Sequence, residues 1–201
     1  FLHGDCLTVA GVTLAETRDA CYGEAEFVCS LTSAAVAVKV AEGIIPNLKN
    51  GQVYVDMNSA NPAVKEKIAA LPRAEGVRVC DAAVMGTAPG AGHRVPMLLA
   101  GDGAQAFYGT MSQFGMRLTV MDAAAGSASA IKMLKSVIMK GYAQLMLEAF
   151  TAAQRYGALD SLVASLGQSL DGKTVEQLAD TFCARTMIHA LRRRDEMLDV
   201  Q

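Results

Sequence analysis

Between Glu26 and Asp122 short apolar runs alternate with helix-patterned segments, and beyond Asp122 no strand-like run is legible. This change of period constrains the fold more than any other feature, because a strand must pair with another strand and a helix need not. The strand candidates are FVCSL (27–31), VYVDM (53–57), VRVCDAAVM (77–85), VPMLLAG (95–101) and RLTVMD (117–122). Helical patterns lie between them at 34–48, 62–71 and about 103–114, the second opened by Asn61 as N-cap and Pro62 at the first helical position. Strand, helix and strand repeated in this way predict a doubly wound α/β sheet. The rest reads as helix: one from about Ser127 to Gly157, with the glycine as its stop, a short one at SLVASL (161–166), and one from about Thr174 to Asp199. The expected boundary falls at 125/126, in the small-residue hinge Ala123–Gly126.

Composition narrows the partners. Eighteen basic residues against 20 acidic ones leave a formal charge of −2, which argues against nucleic acid or an anionic membrane surface. Charges interrupt every apolar stretch before the ~18 residues that a membrane span requires. The five cysteines (Cys6, Cys21, Cys29, Cys80, Cys183) never stand as CxxC and read as small buried residues of a reduced cytoplasm. The three histidines (His3, His93, His189) are too dispersed for a metal cluster, and none is expected. The text opens at Phe1 in mid-domain, so residues upstream are expected.

Two glycine loops invite a nucleotide reading. GDGAQA (101–106) fits G-x-G-x-x-A between a strand and a helix, and Asp122 follows about twenty residues on, where a ribose-binding acid would sit. Asp102 counts against it, since a carboxylate inside the loop would repel pyrophosphate; the same residue is expected to N-cap the next helix. GTAPGAG (86–92) precedes a strand, lacks helix-dipole support for phosphate, and fits a flexible wall around a small ligand.

GSASAIKMLKSVIMKG (126–141) carries Lys132, Lys135 and Lys140 in an otherwise apolar helix. At 100° per residue Met133, Leu134, Val137, Ile138, Gly141 and Leu145 form one stripe, with Lys132, Ser136 and Lys140 opposite, as expected of lysines facing water. Met139, Ala143, Met146 and Phe150 share the Lys132 side, and from Tyr142 onward the helix is apolar nearly all round, which predicts burial on every side. Lys132 therefore stands where a wet face becomes a buried one. The positive end of the helix dipole, with like charge from Lys135 and Lys140, would lower its proton affinity toward acid–base use.

VYVDMNS, DAAVMGTAPGAG and GSASAIKMLKS, in that order, resemble the later signatures of the β-hydroxyacid dehydrogenase family, which includes 3-hydroxyisobutyrate dehydrogenase and the 6-phosphogluconate dehydrogenases. KMLKSVIMKG, EAFTAAQRYG and HALRRRDEM are similar to the C-terminal domain of its phosphogluconate dehydrogenase NAD-binding-like members. The resemblance implies an oxidoreductase using NAD or NADP and a small substrate, a hydroxy acid or its carbonyl form; the prolines and His93-Arg94 after DAAVM, where the family has simpler sequence, point to an anionic one. It implies an incomplete Rossmann domain over 1–125, a helical substrate and dimerisation domain over 126–201, and a homodimer through the C-terminal helices. Lys132 matches the family's catalytic lysine, and Ser136 stands where an asparagine is usual. Val84, Met85, Gly86 and Thr87 match the substrate-binding segment, whose backbone N–H groups could hold a carboxylate, and Arg94 could pair with an anion. Leu31, Thr32 and Ser33 would flank the adenosine half of the cofactor, with Asn58 and Ser59 on the nicotinamide side; Asn58 and Ser59 also read as ordinary turn and capping residues. The family's G-x-G-x-x-G would lie upstream of Phe1. Arg185, His189, Arg192 and Arg193 read as a solvated basic face or as an anion clamp. Two alternatives stand beside the dehydrogenase: an imine reductase, and a degenerate, non-catalytic dimeric binding or structural protein.

Overall fold

The computed structural model describes residues 12–199. Five strands, β1 (Phe27–Ser30), β2 (Val53–Asp56), β3 (Arg78–Val84), β4 (Met97–Ala100) and β5 (Leu118–Val120), form one sheet in sequence order. β1, β2 and β3 run parallel, β4 runs antiparallel to β3, and β5 is again parallel to β4. The helices explain the directions. A short α1 (Arg18–Tyr22) precedes β1, and α2 (Ala37–Ile44), α3 (Pro62–Ala69) and α4 (Ala104–Met111) supply the three crossovers between parallel neighbours. Between β3 and β4 there is only a 3₁₀ turn, Gly92–Arg94, and without a crossover helix the chain turns back on itself. The doubly wound sheet is thus a mixed one, reversed after the GTAPGAG loop.

Both faces of the sheet are covered. Val53, Val55, Cys80 and Leu99 pack with Phe107 of α4, and Phe27 meets Phe107 edge to face at 5.4 Å between ring centroids. On the other face Tyr54 and Val79 pack with Ala41 and Ile45 from the α2 segment and Ile68 of α3. All four β2 residues are buried, so the strand reads as a continuous run and not as an alternation. Asn61 caps α3, its side chain accepting from the Val64 N–H at 3.0 Å, with Pro62 at the first helical position as expected.

The GDGAQA loop has a structural purpose, and Asp102 does not cap α4 as the sequence suggests. The N-cap is Gly103, and Asp102 accepts instead from the Val79 N–H at 2.7 Å while pairing with Arg73 at 2.8 Å. The glycines allow the loop to lie against β3: a Cβ on Gly101 would come within 2.7 Å of the Val79 carbonyl oxygen, and one on Gly103 within 2.6 Å of Val53 Cγ1 and 3.1 Å of the Cys80 amide nitrogen.

Beyond β5 the described chain is helical. α5 (Ser127–Arg155) has 29 residues and stops before Gly157, which adopts φ +65° as the Ala158 N–H closes onto the Ala153 carbonyl at 2.9 Å. α6 (Leu159–Leu170) follows, then α7 (Val175–Ile188), opened by a Thr174–Gln177 capping box. The single helix expected to reach Asp199 is interrupted at His189, whose φ −116° and ψ 28° leave the helical region, and α8 (Ala190–Asp199) completes the described chain. The described chain forms two compact units, divided between Met139 and Lys140. Every fully buried residue among those described lies in the first; α5 beyond Tyr142, expected to be buried all round, is exposed within this chain, Leu145 by 67%. Of the four cysteines described only Cys80 is buried, where desolvation pushes its thiol up to about 12, whereas Cys21, Cys29 and Cys183 are exposed and Cys6 lies outside the described residues. Among the described residues no helix is long and apolar enough to cross a membrane.

The tight seat of the GDGAQA loop has a measurable consequence. Gly103→Ala drives a methyl group into the β3 backbone and is expected to destabilise the fold by about 1–3 kcal/mol in urea unfolding.

Candidate active site

One row of the sheet sets up the site. Ser30, Asp56 and Asp81 are register partners on β1, β2 and β3, and all three side chains are buried. Lys65 of α3 enters from above, its Nζ 2.9 Å from Asp56 Oδ1, 3.3 Å from Asp81 Oδ1 and 2.8 Å from the Asp56 carbonyl oxygen. Asp81 also accepts from the Gly126 N–H at 2.9 Å, the Ser129 N–H at 3.1 Å and the Ser129 hydroxyl at 2.7 Å. A strand carboxylate therefore caps the start of α5, where the amides and the positive end of the dipole favour an anion. Nothing in the sequence marks this cluster, because Lys65 is one more charge in the amphipathic PAVKEKIA; its 1% exposure is what sets it apart.

Docking by Asp81 decides which side of α5 faces the sheet. Ala128 and Ser129 are buried and Lys132 and Ser136, one and two turns on, are half-buried. The apolar stripe is the exposed side: Leu134 is 63% and Val137 70% exposed. The lysine side is therefore not uniformly wet: Lys132 and Ser136 are half-buried at the start of the helix, where Asp81 holds its first turn against the sheet, and the stripe opposite them is exposed within this chain. Lys135 and Lys140 are exposed, as read.

Lys132 donates to Ser59 Oγ at 2.6 Å, just beyond the carboxyl end of β2. Burial, and then the positive charge of Lys65, lower its proton affinity below the ordinary lysine value of 10.5, against an opposing pull from Asp81. The like charge comes from the neighbouring α3 and not from Lys135 or Lys140. Lys132 lines a hollow of about 210 Å³ with Val84, Met85, Gly86, Lys135, Ser136 and Met139. Beside it Asn58, buried, donates to Ser30 Oγ at 3.1 Å, receives the Thr32 N–H on its side-chain oxygen, and is itself anchored by its N–H to Asp56 Oδ1 at 2.8 Å. Leu31, Thr32, Ser33 and Ser59 are exposed along the same edge.

The remaining expected residues are less close. Thr87 and Arg94 are exposed and do not line the hollow. The Met85 N–H, expected to be available for a carboxylate, is taken by the Pro96 carbonyl at 2.8 Å, while the amides of Gly86 and Thr87 have no partner among the described residues. Arg192 pairs with Glu196 and Arg193 donates to Thr186 Oγ1, both at exposed positions.

Comparison with known proteins covers both parts of the chain. Residues 5–121 match a family described as the NAD binding domain of 6-phosphogluconate dehydrogenase, and residues 153–201 match a domain of unknown function. An uncharacterised 28.5 kDa protein of Methanothermus fervidus is 29% identical over 149 residues, 74% of this chain and 57% of that protein. A conserved hypothetical protein from Sinorhizobium meliloti is 30% identical with a TM-score of 0.71, over 96% of this chain and 64% of that one. A conserved protein of unknown function, described as structurally similar to 3-hydroxyacid dehydrogenases, is 29% identical with a TM-score of 0.72, over 98% of this chain and 73% of that one. The chain thus spans less than two thirds of the length of the first two.

The Asp81 cap is open to direct measurement. Asp81→Asn leaves Lys65 with one carboxylate and weakens the start of α5, and the expected loss in urea unfolding is about 3 kcal/mol.

Proposed function

Because the chain belongs to the family of the NAD binding domain of 6-phosphogluconate dehydrogenase, we propose that it serves an NAD(P)-dependent oxidoreductase acting on a small hydroxy acid or its carbonyl form, with Lys132 as proton carrier. The observation that carries this reading is Lys132 itself: a half-buried lysine of lowered proton affinity, held by Ser59 at 2.6 Å, on the wall of a small hollow at the carboxyl ends of the parallel strands β1 to β3.

The residues present suit the nicotinamide side of a dinucleotide. Ser59 offers a hydroxyl beyond β2, and Asn58, locked by three hydrogen bonds, fixes the loop that carries it. Leu31, Thr32 and Ser33 form the exposed edge along which the adenosine half would run. The GDGAQA loop does not suit pyrophosphate, since its glycines lie against β3 and the Asp102 carboxylate is inside it. Bound nicotinamide would take or give the hydride.

Neutral Lys132 removes the substrate hydroxyl proton in the oxidising direction, and its ammonium returns that proton to the carbonyl oxygen in reverse. Ser136, one turn on, can donate to or accept from the same oxygen. Lys135 brings a second cation to the hollow and no lining residue is acidic, which favours a substrate carboxylate at Lys135, assisted by the Gly86 amide, over one at Arg94. The helical unit supports a homodimer: Leu145, Leu147 and Tyr156 are exposed by 63% or more, an apolar surface that a second copy would cover.

Lys132→Ala is expected to lower turnover of short hydroxy acids at least about 100-fold with NAD(P)H affinity unchanged, both followed by nicotinamide absorbance and fluorescence; undiminished turnover refutes the role. In the oxidising direction activity requires the neutral lysine, so it should rise with pH through a midpoint below 10.5, the side to which burial and Lys65 move it. Light scattering should give twice the chain mass, and Leu145→Glu with Leu147→Glu should give the single mass.

A further inference from the structure

We propose that Lys65 is a positioning residue for Lys132: its buried ammonium, shared between Asp56 and Asp81, holds the carboxylate that caps the helix on which Lys132 stands. The inference rests on the proton-carrier reading of Lys132 for its catalytic meaning, though its geometry stands without it.

The chain of contacts is continuous. Lys65 meets Asp56 at 2.9 Å and Asp81 at 3.3 Å, and Asp81 in turn takes the Gly126 and Ser129 amides and the Ser129 hydroxyl. Lys132 is three residues beyond Ser129 on the same helix, so any rotation of the first turn moves its ammonium relative to Ser59. A surface ion pair could not fix a helix in this way, but a lysine and two aspartates each 1% exposed have no water to exchange with. Asp56 serves both ends, since its Oδ1 also receives the Asn58 N–H beside the Ser59 loop. Lys65 therefore ties together the two segments, 58–59 and 126–132, that bring Ser59 and Lys132 into contact.

Its charge acts on Lys132 as well. The charges facing Lys132 from packed elements are Lys65 on α3 and Asp81 on β3, with Asp56 on β2 behind Lys65. Glu66 of α3 lies beside Gly126, and Lys135 follows on α5 itself. Lys65 disfavours the protonated form of Lys132 and Asp81 favours it, so removing Lys65 frees Asp81 from its counter-charge and moves Lys132 upward on both counts.

The test is the titration of Lys132 in intact protein labelled with ε-¹³C lysine, its resonance assigned by loss in Lys132→Arg. In Lys65→Gln the Lys132 midpoint is expected to rise by about one pH unit, and the alkaline-rising limb of kcat/KM for alcohol oxidation to move with it. The charge-balanced double variant Asp56→Asn/Lys65→Gln, which keeps the buried sum at one negative charge, should show the same direction and serves where the single variant does not fold. A Lys132 midpoint unchanged from the parent in a folded variant overturns the proposal. A midpoint that moves while the kcat/KM limb stays in place upholds the link from Lys65 to Lys132 and overturns the proton-carrier reading instead.

Discussion

The ion cluster of Asp56, Lys65 and Asp81 is the interaction on which the rest of the first unit depends. Two carboxylates and one ammonium lie out of water on one face of the sheet, which is tenable only because each has further partners: the Asp56 carbonyl for Lys65, the Asn58 amide for Asp56, and the start of α5 for Asp81. The excess negative charge is matched by helix amides and not by a second cation. Strand β2, strand β3, helix α3 and helix α5 are thereby fixed to one another by polar contacts of strict geometry. The apolar packing of Tyr54, Val79 and Ile68 beside them is by comparison tolerant of small shifts.

That arrangement makes the site a consequence of the fold's polar seam. The carboxyl ends of β1 and β2 present Thr32, Asn58 and Ser59, and the capped helix delivers Lys132 to Ser59. A lysine on an exposed helix face would keep its ordinary proton affinity; this one is half-buried and faces another ammonium. The hollow next to it carries Lys132, Lys135 and Ser136 against the Val84–Gly86 turn, so two ammonium groups and a hydroxyl fall within two turns of one helix.

Much of the molecule is readable without coordinates. The five apolar runs are the five strands, Asn61 caps the helix it precedes, a helix opens at Thr174, and Gly157 ends α5. These are short-range matters of period and backbone satisfaction. Sequence also singled out Lys132, on its place early in the helix and on a resemblance, and Ser136 on the resemblance alone. It misassigned Asp102, which looked like a cap because nothing local reveals that the Val79 amide lies within its reach. It missed Lys65 for the same reason, since burial of a lysine is not a property of its neighbours in the chain.

The amino-acid sequence by itself determined the kinds and order of the elements, the break after Asp122, and the presence of a lysine at the start of a long helix. Only the tertiary structure decided that β4 reverses the sheet, that the apolar stripe of α5 turns outward, and that Lys65 stands beside Lys132. The reason is distance along the chain. The contacts from Asp81 to Gly126 and Ser129 span 45 and 48 residues, and the contact from Lys132 to Ser59 spans 73. Helical period specifies two faces; which of them meets the sheet depends on contacts with residues far away in the chain, here Asp81 with Gly126 and Ser129.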